Sequence, residues 1–143
     1  MRRRRKFNVG GVDVKSGLEE RIGRQLLELE IPINYEVQSY QWKEYLPRAF
    51  CGNCGTKGCY VWRSYTPDYF LPNGIILEVK GRFTSKDRKI AAAMKEQHPD
   101  VDVRMVFDKN DWLNKNHKNR YGDWCDSKGI LWCVREIPKD WIK

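Results

Sequence analysis

Tyr65-Thr66-Pro67-Asp68-Tyr69-Phe70-Leu71-Pro72-Asn73-Gly74-Ile75-Ile76-Leu77-Glu78-Val79-Lys80 is the stretch that decides how this chain folds. Asn73-Gly74 after Pro72 is a tight-turn signal, because asparagine and glycine tolerate the backbone conformations that such turns need. It separates Asp68-Tyr69-Phe70-Leu71 from the apolar, β-branched run 75–80, which reads as an inner strand of a sheet. Side chains alternate along a strand, so Glu78 and Lys80 share a face. The turn folds Asp68 back beside them. Two carboxylates and an ammonium thus converge near a sheet edge.

Carboxylates held together repel one another and lose solvation, so they call for a cation. Oxygen ligands alone suit Mg²⁺ or Mn²⁺, which keep waters and grip phosphate oxygens. In such a site the lysine positions an attacking water or helps deprotonate it. The plainer alternative is a turn aspartate beside a surface ion pair. Pro99-Asp100 is a second Pro-Asp with no Glu-x-Lys after it. Against that alternative, Glu78 and Lys80 end an otherwise apolar strand, where charge is costly without a purpose.

Toward the N-terminus, Ser16-Gly17-Leu18-Glu19 matches a capping box. Leu18, Ile22, Leu26 and Leu29 then recur at helical spacing before Pro32, which predicts a helix over 16–30. Glu19 has two readings: a capping residue favoured by the helix dipole, or a third carboxylate of the site. Glu20 reads as solvent-facing. Residues 33–45 read as a strand, 46–58 as a loop rich in Gly and Cys, and 59–65 as a second strand, the two forming a long hairpin. Toward the C-terminus, a helix over 86–97 follows a Thr84 or Ser85 cap. Val101, Val103, Met105 and Phe107 alternate as a strand, 120–128 is helical, 130–135 strand-like, and 140–142 a short terminal element. The order describes an α/β domain with a mixed central sheet flanked by helices.

The 143 residues suit one domain, and 41% hydrophobic with 32% charged residues excludes both a disordered and a membrane-embedded chain. No apolar run approaches the roughly 20 residues of a membrane span. The five cysteines are an odd number, and no signal-peptide core follows the basic N-terminus. Both favour a reducing compartment, so the expected location is the cytoplasm. The net charge is +8, and Arg2, Arg3, Arg4, Arg5 and Lys6 carry most of the excess. Residues 1–15 therefore read as a flexible basic arm, either an electrostatic hook for nucleic acid or a solubilising tail. Cys51-Gly52-Asn53-Cys54 followed by Cys59 carries the spacing of a zinc knuckle without an evident fourth ligand. Structural Zn²⁺, free thiols and an oxidised Cys51–Cys54 pair all fit that pattern. Cys125 and Cys133, beside Trp124 and Trp132, read as core residues.

Ser16-Gly17-Leu18-Glu19, the stretch from Tyr65 to Gly74, Glu78-Val79-Lys80-Gly81, Asp87-Arg88-Lys89, Glu96-Gln97-His98-Pro99, and Ile137-Pro138 with Trp141-Ile142-Lys143 resemble the phage endonuclease I family in the same order along the chain. The resemblance implies a Holliday-junction resolvase with a restriction-endonuclease-like nuclease domain over 16–143. It identifies Asp68, Glu78 and Glu19 as carboxylates for two Mg²⁺ or Mn²⁺ ions per active site and Lys80 as the catalytic lysine. It also implies an intertwined, domain-swapped homodimer, with the helix and first strand (16–45) of one subunit completing the site of the other. Paired cuts of a four-way junction would leave 5′-phosphate and 3′-hydroxyl ends, and the setting would be the cytoplasm of an infected host. Such enzymes read branched shape through phosphates, for which Arg2 to Lys6, Lys15, Arg82, Lys86, Arg88 and Lys89 are the candidates, Arg88 and Lys89 foremost. The sequence departs from the family at 47–60, the Cys-containing insertion. Two other functions stay open: a nuclease of the same fold acting on other branched or mismatched DNA, and a non-catalytic DNA-binding module with a zinc loop.

Overall fold

The structure is a computed structural model that describes residues 6–50, 52 and 55–143. The elements run β1 (Phe7–Val9), β2 (Val12–Val14), α1 (Gly17–Glu28), β3 (Tyr40–Phe50), β4 (Lys57–Tyr65), β5 (Tyr69–Phe70), β6 (Ile75–Lys80), α2 (Ser85–Gln97), β7 (Asp102–Phe107), α3 (Tyr121–Ser127) and β8 (Trp132–Val134), closing on a 3₁₀ turn at Lys139–Trp141. A four-stranded sheet in the order β5-β6-β7-β8 forms the centre. Its first pair is antiparallel and the other two are parallel, so the sheet is mixed, as the sequence pattern predicts. Among the described residues no helix is long and apolar enough to cross a membrane.

β6 is buried from Ile75 to Val79, which explains its near-continuous apolar sequence. The alternation sends Leu77 and Val79 to one face, where they pack with Val106 and with Ile22 and Leu26 of α1. Met105 and Phe107 join Phe83, Tyr121 and Cys125 in a second cluster on the other face. Glu78 is registered beside Met105 and Lys80 beside Phe107, so both charged residues lie on that second face. The hairpin register pairs Tyr69 with Leu77 and Phe70 with Ile76, which carries Asp68 to the position across from Glu78. Directly opposed like charges destabilise a sheet, so this pairing needs a reason beyond the fold.

Three parts differ from the sequence-based expectation. The flexible arm over 1–15 is, from Phe7 onward, a β-hairpin: Gly10 (φ +53°) and Gly11 (φ +88°) make its turn, and Val9 and Val14 are buried. A Cβ on Gly23 would come within 2.7 Å of Val9, so the bare backbone there lets the hairpin sit against α1. Residues 2–5 lie outside the described residues. The strand expected over 33–45 begins only at Tyr40, because Glu36 adopts φ +51°, which interrupts extended backbone. The preceding stretch runs along β5 instead, through Glu36 N–H to Asp68 O (2.8 Å) and Phe70 N–H to Asn34 O (2.9 Å). The loop expected over 46–58 is mostly strand: β3 continues to Phe50 and β4 starts at Lys57, with a register irregularity between Leu46 and Phe50. Pro47, which has no N–H to donate, lies within that irregularity.

Candidate active site

Ser16 caps α1 as expected, its Oγ accepting from Glu19 N–H at 3.1 Å. Glu19 does not return the bond. Its Oε1 accepts instead from Tyr35 Oη at 3.1 Å, and its Oε2 is buried with no hydrogen-bond partner. The capping explanation of this residue therefore accounts for the backbone but not for the carboxylate. Tyr69 Oη donates to the Glu19 carbonyl at 2.6 Å, tying the first turn of α1 to the edge of the sheet. Glu20, expected to face solvent, is buried, and its Oε2 accepts from Asn8 N–H of the β1–β2 hairpin at 3.1 Å.

Glu19, Asp68 and Glu78 are only 5%, 6% and 5% exposed, and within the chain they lie near enough that the charges of Glu78 and Glu19 both bear on Asp68. Asp68 is held by a backbone donor and Glu78 by a tyrosine and a lysine. Asp68 Oδ2 accepts from Val79 N–H at 2.8 Å, and Glu78 Oε2 accepts from Tyr65 Oη at 2.6 Å. Lys80 Nζ lies 3.1 Å from Glu78 Oε1 and 3.4 Å from Asp87 Oδ1. Asp87 itself is fixed as the N3 residue of a closed capping box with Thr84, so α2 delivers it at a defined position. A void of about 20 Å³, the size of one water, sits among Tyr65, Glu78, Lys80, Asp87 and Met105.

The electrostatics follow from this crowding. Burial, then the charge of Glu78, pushes the Asp68 carboxyl up to about 9 against the pull of the Val79 N–H. Burial also raises Glu78, although Lys80 and Tyr65 oppose it. Burial alone would lower Lys80, but Glu78 and Asp87 more than offset it and hold its ammonium above the usual lysine range. Tyr65 is raised well beyond the ordinary phenol by burial and by Glu78, so it stays a donor. The Asp68 carboxyl, raised in this way, retains its proton at neutral pH until a cation takes the proton's place. Together with the orphaned Glu19 oxygen, that behaviour fits a cation site. Among the described residues no three His, Cys, Asp or Glu side chains make a ready-made cage. An ion such as Mg²⁺, which takes part of its shell from water and phosphate oxygens, does not require one.

Tyr65, Tyr35 and Asp87 are site residues that the sequence reading does not single out. The Thr84-x-x-Asp87 spacing is legible as a capping box, and its second use as a partner of Lys80 comes only from the fold. The DNA-contact candidates are dispersed. Lys6, Arg82 and Lys86 are exposed. Lys15 pairs with Glu36, and Lys89 shares the Glu44 carboxylate with Arg63, each at 2.9 Å from it. Arg88 turns inward, donating to Phe83 O at 2.7 Å across the Phe83 ring. Cys51 and Cys54 lie outside the described residues. Cys59 is a half-buried free thiol on β4, opposite Leu46. Cys125 and Cys133 are buried, with burial pushing both thiols up to about 12.

The chain is similar to known proteins over most of its length. The sequence profile of the family described as phage endonuclease I matches residues 2–143. Over 130 residues the chain is 38% identical to endonuclease I of Escherichia phage T7, covering 90% of this chain and 78% of that protein. It is 36% identical to endodeoxyribonuclease 1 of Enterobacteria phage T3, covering 90% of this chain and 76% of that one.

Proposed function

The chain belongs to the phage endonuclease I family, and from that premise we propose that it is a metal-dependent DNA endonuclease that resolves four-way (Holliday) junctions. The observation that carries the reading is the buried group of Glu19, Asp68 and Glu78 with Lys80 at its rim. Those three carboxylates would hold Mg²⁺ or Mn²⁺, which when bound lowers the pKa of water and offsets charge on the scissile phosphate. Tyr65 and Val79 N–H keep the Glu78 and Asp68 oxygens aimed inward, so little reorganisation is needed at the moment of reaction. Lys80 keeps its proton in this setting and therefore orients an attacking water or a phosphate oxygen as an ammonium donor. Water oxygen bonds to phosphorus as the P–O3′ bond breaks. One product ends in a 5′-phosphate, and the other takes up a proton as a 3′-hydroxyl.

The active unit we propose is a homodimer with two such pockets, because resolving a junction takes two cuts. In its exchanged form, residues 16–45 cross over so that Glu19 of one subunit meets Asp68 of the other. The aromatic face of β3 and β4, with Tyr45, Tyr60 and Trp62 exposed, supports a partner surface. Its setting would be the cytoplasm of an infected bacterium. The test is cleavage of a synthetic four-way junction and a matching linear duplex, in Mg²⁺ and in EDTA. Paired, metal-dependent nicks near the branch point are expected. Binding without cleavage in either ion would mark a binding module instead. Equal cutting of bulged and mismatched duplexes would widen the substrate class.

A further inference from the structure

β7 ends at Phe107, the register partner of Lys80, so the chain leaves the sheet at the same end as the catalytic strand. It continues as Asp108-Lys109-Asn110-Asp111-Trp112-Leu113-Asn114-Lys115-Asn116-His117-Lys118-Asn119-Arg120 before α3 begins. This loop is braced to an unusual degree for an exposed connection. Trp112 and Arg120 form an antiparallel bridge, Leu113 N–H donates to Asn119 O (2.8 Å), and Tyr121 N–H donates to Asp111 O (2.9 Å). The Arg120 guanidinium lies 3.9 Å from the centre of the Trp112 ring, and the His117 ring stacks on Trp112 at 5.1 Å. His117 also takes φ +53° to close the tip.

The charges are arranged with the same bias. Asp108 is engaged by Arg135 at 2.9 Å, and Asp111 Oδ1 accepts from Trp112 N–H at 2.8 Å. Lys109, Lys115 and Lys118 are exposed and, among the described residues, pair with no acid. A solvated loop needs no sandwiched tryptophan to hold its shape. A fixed tip with free ammonium groups lowers the ordering cost of binding a polyanion.

We propose that residues 109–118 form a second DNA-contacting element, with Lys115 and Lys118 seating phosphates of the duplex arm that flanks the cut. The inference rests on the nuclease reading above and extends its binding surface beyond the catalytic pocket. Phosphate contacts of this kind position a duplex without reading its sequence.

The test measures affinity of full-length protein for a labelled four-way junction in EDTA, across about 50–200 mM KCl. Each lost phosphate contact lowers the slope of log K against log salt by about 0.9. The proposed dimer presents both lysines twice, so K115A/K118A is expected to lower the slope by about 3.6, or by about 1.8 if one subunit seats the arm, and to weaken binding at least about tenfold at the low-salt end. K115R/K118R keeps the charges and is expected to retain both. K128A/K139A removes the same charge at the far end of the sheet. There Gly129 meets Lys95, and Trp141 O meets Asn73 at the start of β6. This control should leave the slope unchanged. Wild-type binding with an unaltered slope in K115A/K118A overturns the inference, and so does an equal loss in K128A/K139A, which would be a net-charge effect. Wild-type protein that binds no DNA overturns this inference and the nuclease reading together. Unchanged circular dichroism in all three variants separates these outcomes from misfolding.

Discussion

β6 and the β3–β4 hairpin are both strands of this domain, and they are built to opposite rules. β6 is covered on both faces, and its two charged residues are satisfied by named partners. The hairpin is a two-stranded ribbon, and its outer face leaves Trp62 64% and Tyr60 68% exposed. A two-stranded ribbon has little stability of its own in water. On the proposed function, the difference separates two tasks. Chemistry that tolerates displacements of a fraction of an ångström sits on the strand least able to move. The surface proposed to meet a second subunit sits on an element whose form depends on what covers it.

The largest effect expected of any single change lies in the pocket. Asp68→Asn keeps an oxygen for the Val79 N–H but removes the charge, and should lower junction cleavage by about 10³-fold or more while binding persists. The same variant carries an opposite signature in stability. Because the folded-state carboxyl is raised to about 9, from 3.8, the folded protein holds its proton more tightly than the unfolded chain. That contribution is fully present below about pH 4 and is lost as pH rises toward 9. Metal-free wild type should therefore lose stability over this window, and Asp68→Asn should flatten the loss, melting several degrees higher at about pH 8 in EDTA. A variant that melts lower throughout would make Asp68 a structural residue and remove the contrast between the two regions.

Next in size is the question of which chain supplies Glu19. Mixing and refolding Glu19→Ala with Lys80→Ala chains should restore about a quarter of the wild-type sites if 16–45 is exchanged, since half the dimers are mixed and each of those holds one intact site. The product would be single nicks rather than paired cuts. If Glu19 acts in its own chain, as the geometry of one subunit allows, no activity returns. Nicking and its absence are read directly on a junction labelled in all four strands.

How much of this was legible beforehand depends on the range of the interactions involved. The pocket's inner half was readable because it is local: a turn at Asn73-Gly74 and a period of two put Asp68, Glu78 and Lys80 together. Glu19 was ambiguous because capping and catalysis demand the same residue at the same position. Only the direction of its side chain, toward Tyr35 and away from Ser16, separates them. Tyr65 and Tyr35 were not legible, since a tyrosine near an apolar strand reads as core. The β1–β2 hairpin was legible in principle: Phe7-Asn8-Val9 and Val12-Asp13-Val14 alternate around Gly10-Gly11, a hairpin pattern that the arginine run obscures. The late start of β3 was not, because it depends on Glu36 taking a positive φ to lie along β5.

The smallest expected effects sharpen the comparison most. In the sheet, Leu77→Ala removes a fully buried side chain and should cost about 2–5 kcal/mol in urea unfolding. On the ribbon, Tyr60→Ala and Trp62→Ala delete far larger rings, yet their exposure means that little apolar area is uncovered within one subunit. Their cost to an isolated subunit should stay below about 1 kcal/mol, set by the Tyr45–Tyr60 ring contact and by Lys43 over Trp62. If the ribbon's outer face is the subunit contact, the same two changes shift the sedimentation coefficient from dimer toward monomer and make melting depend on protein concentration. A dimer that survives both substitutions would move the interface off these rings. An exchange through 16–45 would then have to hold the subunits together without them.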